Sequence, residues 1–350
     1  MTVFNTLKSW LTVDLGIDMG TTRTRVFQAG KGIVLNEPSF ISISYREREP
    51  QEVGAEAYKV LGRCPPHIEV HNPLSHGIIE NFDLAEEMLR RFLDRIFKRK
   101  ALLGARIVMV APAGATDVEK KAFEDIAVQV GGREVYLIEA PISAAAGMGV
   151  PIRKEGGQVI IYLGGASTQA VVFTSGEVLF SHYDTVGGES LTEAIVAGIR
   201  KNHKIHIGAH TAEQLKISMG SAYPTEKDDT REIYGKSVED GLPRAVLVSN
   251  WEIREMMQDP LERLVGAISS VFERVPPELA QDIKKSGVYV TGGNSMIRGL
   301  AKLIGHITGL KVVNAKNGLM SCIAGTEVVL SDPSRFRDLM VSSHSRHFIG

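Results

Sequence analysis

Two stretches of this chain follow one plan: a short apolar strand, a turn of glycine and hydroxyl residues, and a returning strand. The first is VDLGIDMGTTRTRVFQAG from Val13; the second, GGQVIIYLGGASTQAVVFTSGEVLFSHYDTVGG, starts at Gly156. Alternating apolar residues mark the strands, and Gly-Thr-Thr or Gly-Gly-Ala-Ser the turns between them. A supersecondary unit that recurs within one chain divides it into two related halves. The length agrees, since 350 residues exceed what one hydrophobic core usually supports.

Other elements surround each hairpin. After the first come further strands in GKGIVLNEPSFISISY, a strand and short helix around QEVGAEAY, and the amphipathic helix FDLAEEMLRRFLDRIFKR. ARIVMVAP reads as a buried strand, TDVEKKAFEDIAVQVG as a helix opened by a threonine and an acidic first turn, and EVYLIEAP as a strand. That β–α–β order implies a partly parallel sheet. After the second hairpin, SLTEAIVAGIRKNH and TAEQLKISMG read as helices, AYPTEKDDTREIYGKSVEDGLPRAVLVS as strands with turns, and WEIREMMQDPLERLVGAISSVFERV as a long helix interrupted at Pro260. SGVYVTGGNSMIRGLAKLIGHITG closes with strand, double glycine and helix. The expected fold class is α/β, two lobes each with a mixed sheet flanked by helices. Its divisions are a segment 1–12, a first lobe 13–153 joined by a C-terminal return, a second lobe 154–332 and a tail 333–350.

Composition removes several classes of function. Forty basic and 41 acidic side chains leave a net charge of −1, so nothing draws the chain to nucleic acid. Cys64 and Cys322 are far apart, which argues against a disulfide framework or a zinc site. No apolar run approaches the roughly 18 residues of a membrane span, and the start lacks the pattern of a signal peptide, so a cytoplasmic location is expected. In MTVFNTLKSWLT, Phe4, Leu7, Trp10 and Leu11 share one helical face, which suits either a lipid interface or docking on the protein's own core. His203, His206 and His210 fall near helical spacing, but Ile207-Gly208 breaks the helix between them and removes the case for a metal face.

Glycine makes up 35 residues of the chain, and its placement is the chemical signal. Asp18 ends an apolar strand just before Gly20, Thr21 and Thr22. Backbone N–H groups and hydroxyls there can meet a phosphate while the carboxylate holds a hydrated cation. Alone, this turn serves a structural hairpin equally well. Gly164, Gly165, Ala166 and Ser167 supply a second turn of the same kind, and the two could clasp a polyphosphate from both lobes. Gly292, Gly293, Asn294 and Ser295 add a third glycine turn at a strand-to-helix junction. Three such turns, each directly after a strand, point to a nucleotide cleft. Arg25 reads as solvent-facing on the second strand, and Arg23 stays open between solvent and phosphate.

The order of DLGIDMGTTRTRVF, GKGIVLNEPSF, NPLSHGIIENFDLAEEML, ATDVEKKAF, REVYLIEAPISAAAGMGVPI, GGASTQAVVF, TAEQLKISMGSAYP, DGLPRAVLVS, PPELAQDI and VTGGNSMIRGLAKLI resembles the MreB family of bacterial actin homologues, over residues 1 to about 332. The resemblance implies an actin-like fold of two lobes around an ATP-Mg cleft, homopolymer filaments, attachment to the inner face of the cell membrane, membrane-protein partners of the cell-elongation machinery, and organisation of wall synthesis. It implies that Asp18, Gly20, Thr21, Thr22 and Arg23 form the first phosphate loop, with Asp18 reaching magnesium through water. Gly164 to Ser167 would form the second loop, Glu213 and Lys216 would contact the ribose and base of ATP or ADP, and Gly292 to Ser295 would form the adenosine loop. Phe4, Leu7, Trp10 and Leu11, with Leu102 and Leu103 in Ala101-Leu102-Leu103, would be membrane contacts, multiplied along a filament.

Arg23 stands where the family commonly has asparagine, Ser167-Thr168-Gln169 replace Thr-Thr-Glu, and two positions depart from the pattern that the family uses for chemistry. Ala140 stands where a glutamate positions the attacking water, and Tyr162 where an aspartate orients magnesium-bound water. The resemblance therefore implies slow or absent hydrolysis, because positioning and electrostatics supply nearly all the catalysis of phosphoryl transfer. Glu139 is the candidate substitute, although as the preceding strand residue its side chain is expected on the opposite face. The alternatives are a sugar or acid kinase of the same superfold, which needs the carboxylate base that Ala140 and Tyr162 do not provide, and a specialised, non-hydrolysing paralogue acting as a scaffold.

Overall fold

The computed structural model describes residues 13–47, 49–97, 104–226 and 228–341. By its packing the chain forms two units. The first takes in the chain up to Glu155, residues Phe173–Ser181 and the return from Leu319; the second comprises Gly156–Val172 and His182–Gly318.

In the first unit, β1 (Asp14–Met19), β2 (Arg23–Gln28) and β3 (Gly32–Pro38) form an antiparallel meander. A small sheet in the order β5-β4-β6 follows, from β4 (Ile41–Ser44), β5 (Glu49–Val53) and β6 (Ile68–His71), with the short helix α1 (Ala55–Lys59) and the ribbon β7 (Leu74–Ser75) and β8 (Ile78–Ile79). Helix α2 (Phe82–Ile96) starts where Asn81 accepts from the Leu84 N–H, and it buries Met88, Leu89, Phe92 and Leu93 against Leu15, Ile17, Ile107 and Met109 of the sheet core. Strand β9 (Ala105–Ala111), helix α3 (Asp117–Gln129) and strand β10 (Gly132–Glu139) make the expected β–α–β unit, with β9 and β10 parallel. Thr116 and Glu119 cap α3 reciprocally. Helix α4 (Ala140–Gly147) follows without a gap, and the sheet order is β10-β9-β1-β2-β3.

The second unit repeats that plan, except that Phe173–Ser181, a hairpin tip, falls with the first unit. Strands β11 (Gln158–Leu163), β12 (Thr168–Thr174) and β13 (Glu177–Asp184) are consecutive neighbours, as β1 to β3 are. Helix α5 (Gly188–His203), the short β14 (Ile205–His206), helix α6 (Ala209–Met219), and strands β15 (Thr230–Ser237) and β16 (Pro243–Ser249) intervene. Helices α7 (Asn250–Met256), α8 (Gln258–Glu273) and α9 (Pro277–Ser286) lead to β17 (Val288–Thr291), a 3₁₀ turn at Gly293–Met296, α10 (Leu300–Thr308) and β18 (Val312–Asn314). Strands β17 and β18 join β11 in parallel, giving the order β13-β12-β11-β17-β18, the topological image of the first sheet. The helix break expected at Pro260 falls earlier, at Met257; Pro260 lies in the first turn of α8, where a missing N–H leaves no helical bond unmade.

The last described α-helix, α11 (Ser321–Ser331), belongs to the first unit, which corrects the expectation that the second lobe runs on to residue 332. It lies against α4 at backbone distance: Ser143 Oγ donates to Cys322 O at 2.8 Å, and a Cβ on Gly325 would run into Ser143 O. Only very small residues permit that approach.

Candidate functional site

The turn between β1 and β2 closes where Gly20 N donates to Arg23 O at 3.1 Å, which places Asp18 opposite Arg25 and Met19 opposite Thr24. Neighbouring side chains brace it. Ser39 Oγ donates to Gly20 O at 2.6 Å, Asn72 Nδ2 to Thr21 O at 2.9 Å, and Gly77 N to Thr21 Oγ1 at 2.8 Å. Among the described residues nothing accepts from the backbone N–H groups of Thr21 and Thr22, and Thr22 is exposed. A fixed turn with two open donors is suited to an anion.

The charged residues of this hairpin are arranged differently from the sequence-based expectation. Arg25, expected in solvent, is buried, and its Nη1 donates to Asp18 Oδ2 at 3.3 Å. The register causes this, since directly opposed residues share a sheet face. Burial pushes the Asp18 carboxyl above its ordinary value, while the Arg25 guanidinium and the neighbouring Cys322 thiol oppose that rise. The same burial, with the charge of Asp18, holds the Cys322 thiol well above its usual range. Arg23 turns along the sheet: Nε donates to Asn36 Oδ1 at 2.7 Å and Nη2 to Asn36 O at 2.6 Å. Burial and the nearby Arg25 lower its pKa. Both guanidinium groups are thus engaged within the unit. Asp18, expected to hold a hydrated magnesium ion, already holds an internal cation, and among the described residues no three His, Cys, Asp or Glu side chains gather as a metal site.

Glu139 ends β10 and Ala140 opens α4. Asp18 and Ile138 both lie opposite Val110, so Glu139, one residue on, projects from the other face of the sheet. There its Oε1 lies 3.9 Å from Lys120 Nζ, and its buried Oε2 has no hydrogen-bond partner among the described residues. Burial raises the Glu139 pKa, with Lys120 and the Gly114 N–H opposing. Ala140 is buried and offers only a methyl group.

In the second unit Tyr162 lies opposite Thr291 near the end of β11. Gly164 N donates to Ser167 O at 2.8 Å; Gly164 O accepts from Gly188 N at 3.2 Å and from Asn294 Nδ2 at 2.5 Å. Gly165 O accepts from Glu189 N at 2.6 Å, and among the described residues nothing accepts from Gly165 N. The Gly164–Ser167 loop, the start of α5 and the Gly292–Ser295 turn thus form one hydrogen-bonded cluster, with Ser295 Oγ donating to Gly292 O at 2.7 Å. Gly292 has φ +89°, and a Cβ there would strike Leu163 O. Lys216, buried on α6, places Nζ 2.8 Å from Gly188 O, 3.0 Å from Thr192 Oγ1 and 2.6 Å from Glu213 Oε2. Glu213 and Lys216 therefore meet the same cluster.

Sequence reasoning passed over Gly187, Gly188 and Thr192. A Cβ on Gly188 would lie 2.6 Å from Asn294 Nδ2, so the second loop depends on this glycine. Its signal was available, since Gly187-Gly188 ends a strand pattern and precedes a helix, as Gly292-Gly293 does. Phe4, Leu7, Trp10, Leu11, Leu102 and Leu103, the expected membrane contacts, lie outside the described residues. His203 pairs with Glu252 at 2.8 Å, His206 is exposed on β14 and His210 contacts Gln214 at 2.9 Å, so each has separate surroundings. No helix among the described residues is long and apolar enough to cross a membrane.

Two α/β units on one strand plan, each with a glycine-and-hydroxyl turn behind its first strand, define an actin-like protein. The profile of the MreB/Mbl protein family matches residues 12–338, and the chain belongs to that family. It is 37% identical over 316 residues to the cell shape-determining protein MreB of Escherichia coli strain K12, covering 89% of this chain and 91% of that one. It is 34% identical over 320 residues to the cell shape-determining protein Mbl of Bacillus subtilis strain 168, covering 91% and 96%. The crystal structure of MreB 5 of Spiroplasma citri bound to AMPPNP is similar with a TM-score of 0.88 at 28% identity, over 93% of this chain and 97% of that one. The MamK double helical filament, at 16% identity and a TM-score of 0.77 over 92% and 99% of the two chains, shares the fold.

Proposed function

We propose that this chain is an ATP- and ADP-binding subunit of a homopolymer filament in the cytoplasm, held at the inner face of the cell membrane, where it organises cell shape and wall synthesis with partners of the elongation machinery. The observation that carries the reading is the pair of braced turns with open N–H donors at Thr21, Thr22 and Gly165. Such donors bind phosphate oxygens without moving, because bonds to Ser39, Asn72, Gly188 and Asn294 already hold the backbone. Structures of MreB5 of Spiroplasma citri bound to ADP and of MreB 5 bound to AMPPNP support a nucleotide as the ligand. Glu213, Lys216 and Thr192 stand beside the loop that Gly292 and Asn294 support, the place for ribose and base.

Turnover is slow or absent in this reading. A bound triphosphate supplies a transferable phosphoryl group, and hydrolysis needs a side chain that orients water against it. Ala140 has no such group, and Glu139 projects from the face opposite Asp18. The same lack weighs against a kinase, which requires a base for the acceptor hydroxyl. Membrane attachment rests on Phe4, Leu7, Trp10, Leu11, Leu102 and Leu103.

Calorimetric titration with ATP and ADP, electron microscopy with each nucleotide on and off lipid, and phosphate-release assays test this reading. Filaments that depend on nucleotide and sediment with liposomes are expected, with little phosphate released. A chain that stays monomeric and ignores adenine nucleotides would refute it. Loss of liposome sedimentation on removing residues 1–11 and changing Leu102 and Leu103 to polar residues checks the membrane contacts.

A further inference from the structure

A carboxylate beside a polyphosphate needs a cation between the two, or their charges repel. Asp18 ends β1 directly before the turn whose N–H groups stand open, and it already has a cation. Arg25 Nη1 lies 3.3 Å from Asp18 Oδ2, and the two residues are only 8% and 5% exposed. The register keeps them opposed, and a guanidinium does not deprotonate in a protein.

A magnesium ion fits this surrounding poorly. It takes six oxygens in near-ideal octahedral geometry and keeps several of its waters. The Asp18 carboxylate, enclosed by Arg25 and the Cys322 thiol, has neither the exposure nor the free charge to gather them. Arg25 also has a donor in hand: its Nε is buried and has no acceptor among the described residues.

We infer that Arg25 takes the place of a divalent cation at the first turn, so that this chain binds its nucleotide as the metal-free polyphosphate. The inference rests on the nucleotide reading above. Internal neutralisation of Asp18 removes the repulsion that a metal would otherwise relieve, and the phosphate charge at this turn is met by the N–H groups of Thr21 and Thr22.

The test uses the full chain and fluorescently labelled ATP and ADP, with affinity read by anisotropy in magnesium chloride and in EDTA at matched ionic strength. EDTA is expected to leave Kd within about threefold of its magnesium value or to tighten it. Arg25→Leu is expected to bind at least about tenfold more weakly in EDTA than in magnesium, and Arg25→Lys, which keeps the charge, to stay metal-independent. Circular dichroism reports whether each variant folds; if Arg25→Leu does not, the native chain and Arg25→Lys decide the matter. A loss of more than about tenfold on adding EDTA to the native chain overturns the inference and leaves the nucleotide reading standing. No binding in either buffer overturns both.

Discussion

Deleting the Arg25 guanidinium leaves Asp18 as an unpaired buried carboxylate, and the cost can be worked from the geometry. At 3.3 Å and an effective dielectric constant of about 20, the attraction is on the order of 5 kcal/mol. Removing one partner of a buried pair typically costs about 3–5 kcal/mol, so Arg25→Leu is expected to lose that much stability at neutral pH. Removing both charges, in Asp18→Asn with Arg25→Leu, strands no ion, and the double variant is expected within about 1–2 kcal/mol of the native chain. Urea unfolding followed by circular dichroism suits the measurement, because guanidinium chloride would screen the pair. The pH dependence provides a second readout. Without Arg25 nothing cationic opposes the burial that already raises the Asp18 pKa. A carboxyl raised above its unfolded value takes up a proton on folding, so Arg25→Leu should be most stable in acid and should weaken as pH climbs through the raised native value. If Arg25→Leu costs less than about 1 kcal/mol, or the double variant is no more stable than Arg25→Leu, the pair does not carry the energy assigned to it.

Three further outcomes are expected. Ala140→Glu places a carboxylate in the first turn of α4, where the helix dipole favours it, and should raise phosphate release at least about tenfold, since a positioned base contributes about 10²–10⁴-fold; unchanged release would mean that the missing carboxylate does not limit turnover. Glu139 has a pKa raised by burial, so it contributes stability below its unfolded value near 4.5 that is lost as pH rises through the native value; Glu139→Gln should flatten this part of a plot of Tm against pH. Of the two thiols, half-buried Cys64 should react with a disulfide reagent in the native chain, whereas Cys322, held in the thiol form by burial and secondarily by Asp18, should react only on unfolding.

How much of this was legible in the sequence depends on what each element needs from its neighbours. The two hairpins and the β9–α3–β10 crossover could be read because alternation, glycine turns and the Thr116 cap are local signals. Helices α4 and α11 could not. APISAAAG and SCIAGTEVVLS lack an amphipathic period because most of their residues are buried, each helix against the other through residues small enough for backbone contact. The second lobe, expected to run to residue 332, ends at Gly318 for the same reason. Arg25 is more instructive. Strand β2 buries Thr24 and Val26 as well as Arg25, so no exposed face receives the charge, and a reading that sends arginine to solvent fails on a strand buried from both sides. Yet once the turn is placed at Gly20 to Arg23, counting outward pairs 19 with 24 and 18 with 25, and the buried arginine meets its carboxylate. The motif Asp-Met-Gly-Thr-Thr marks the turn; the hairpin register sets its aspartate against Arg25, and the proposal of metal-free binding rests on that pairing.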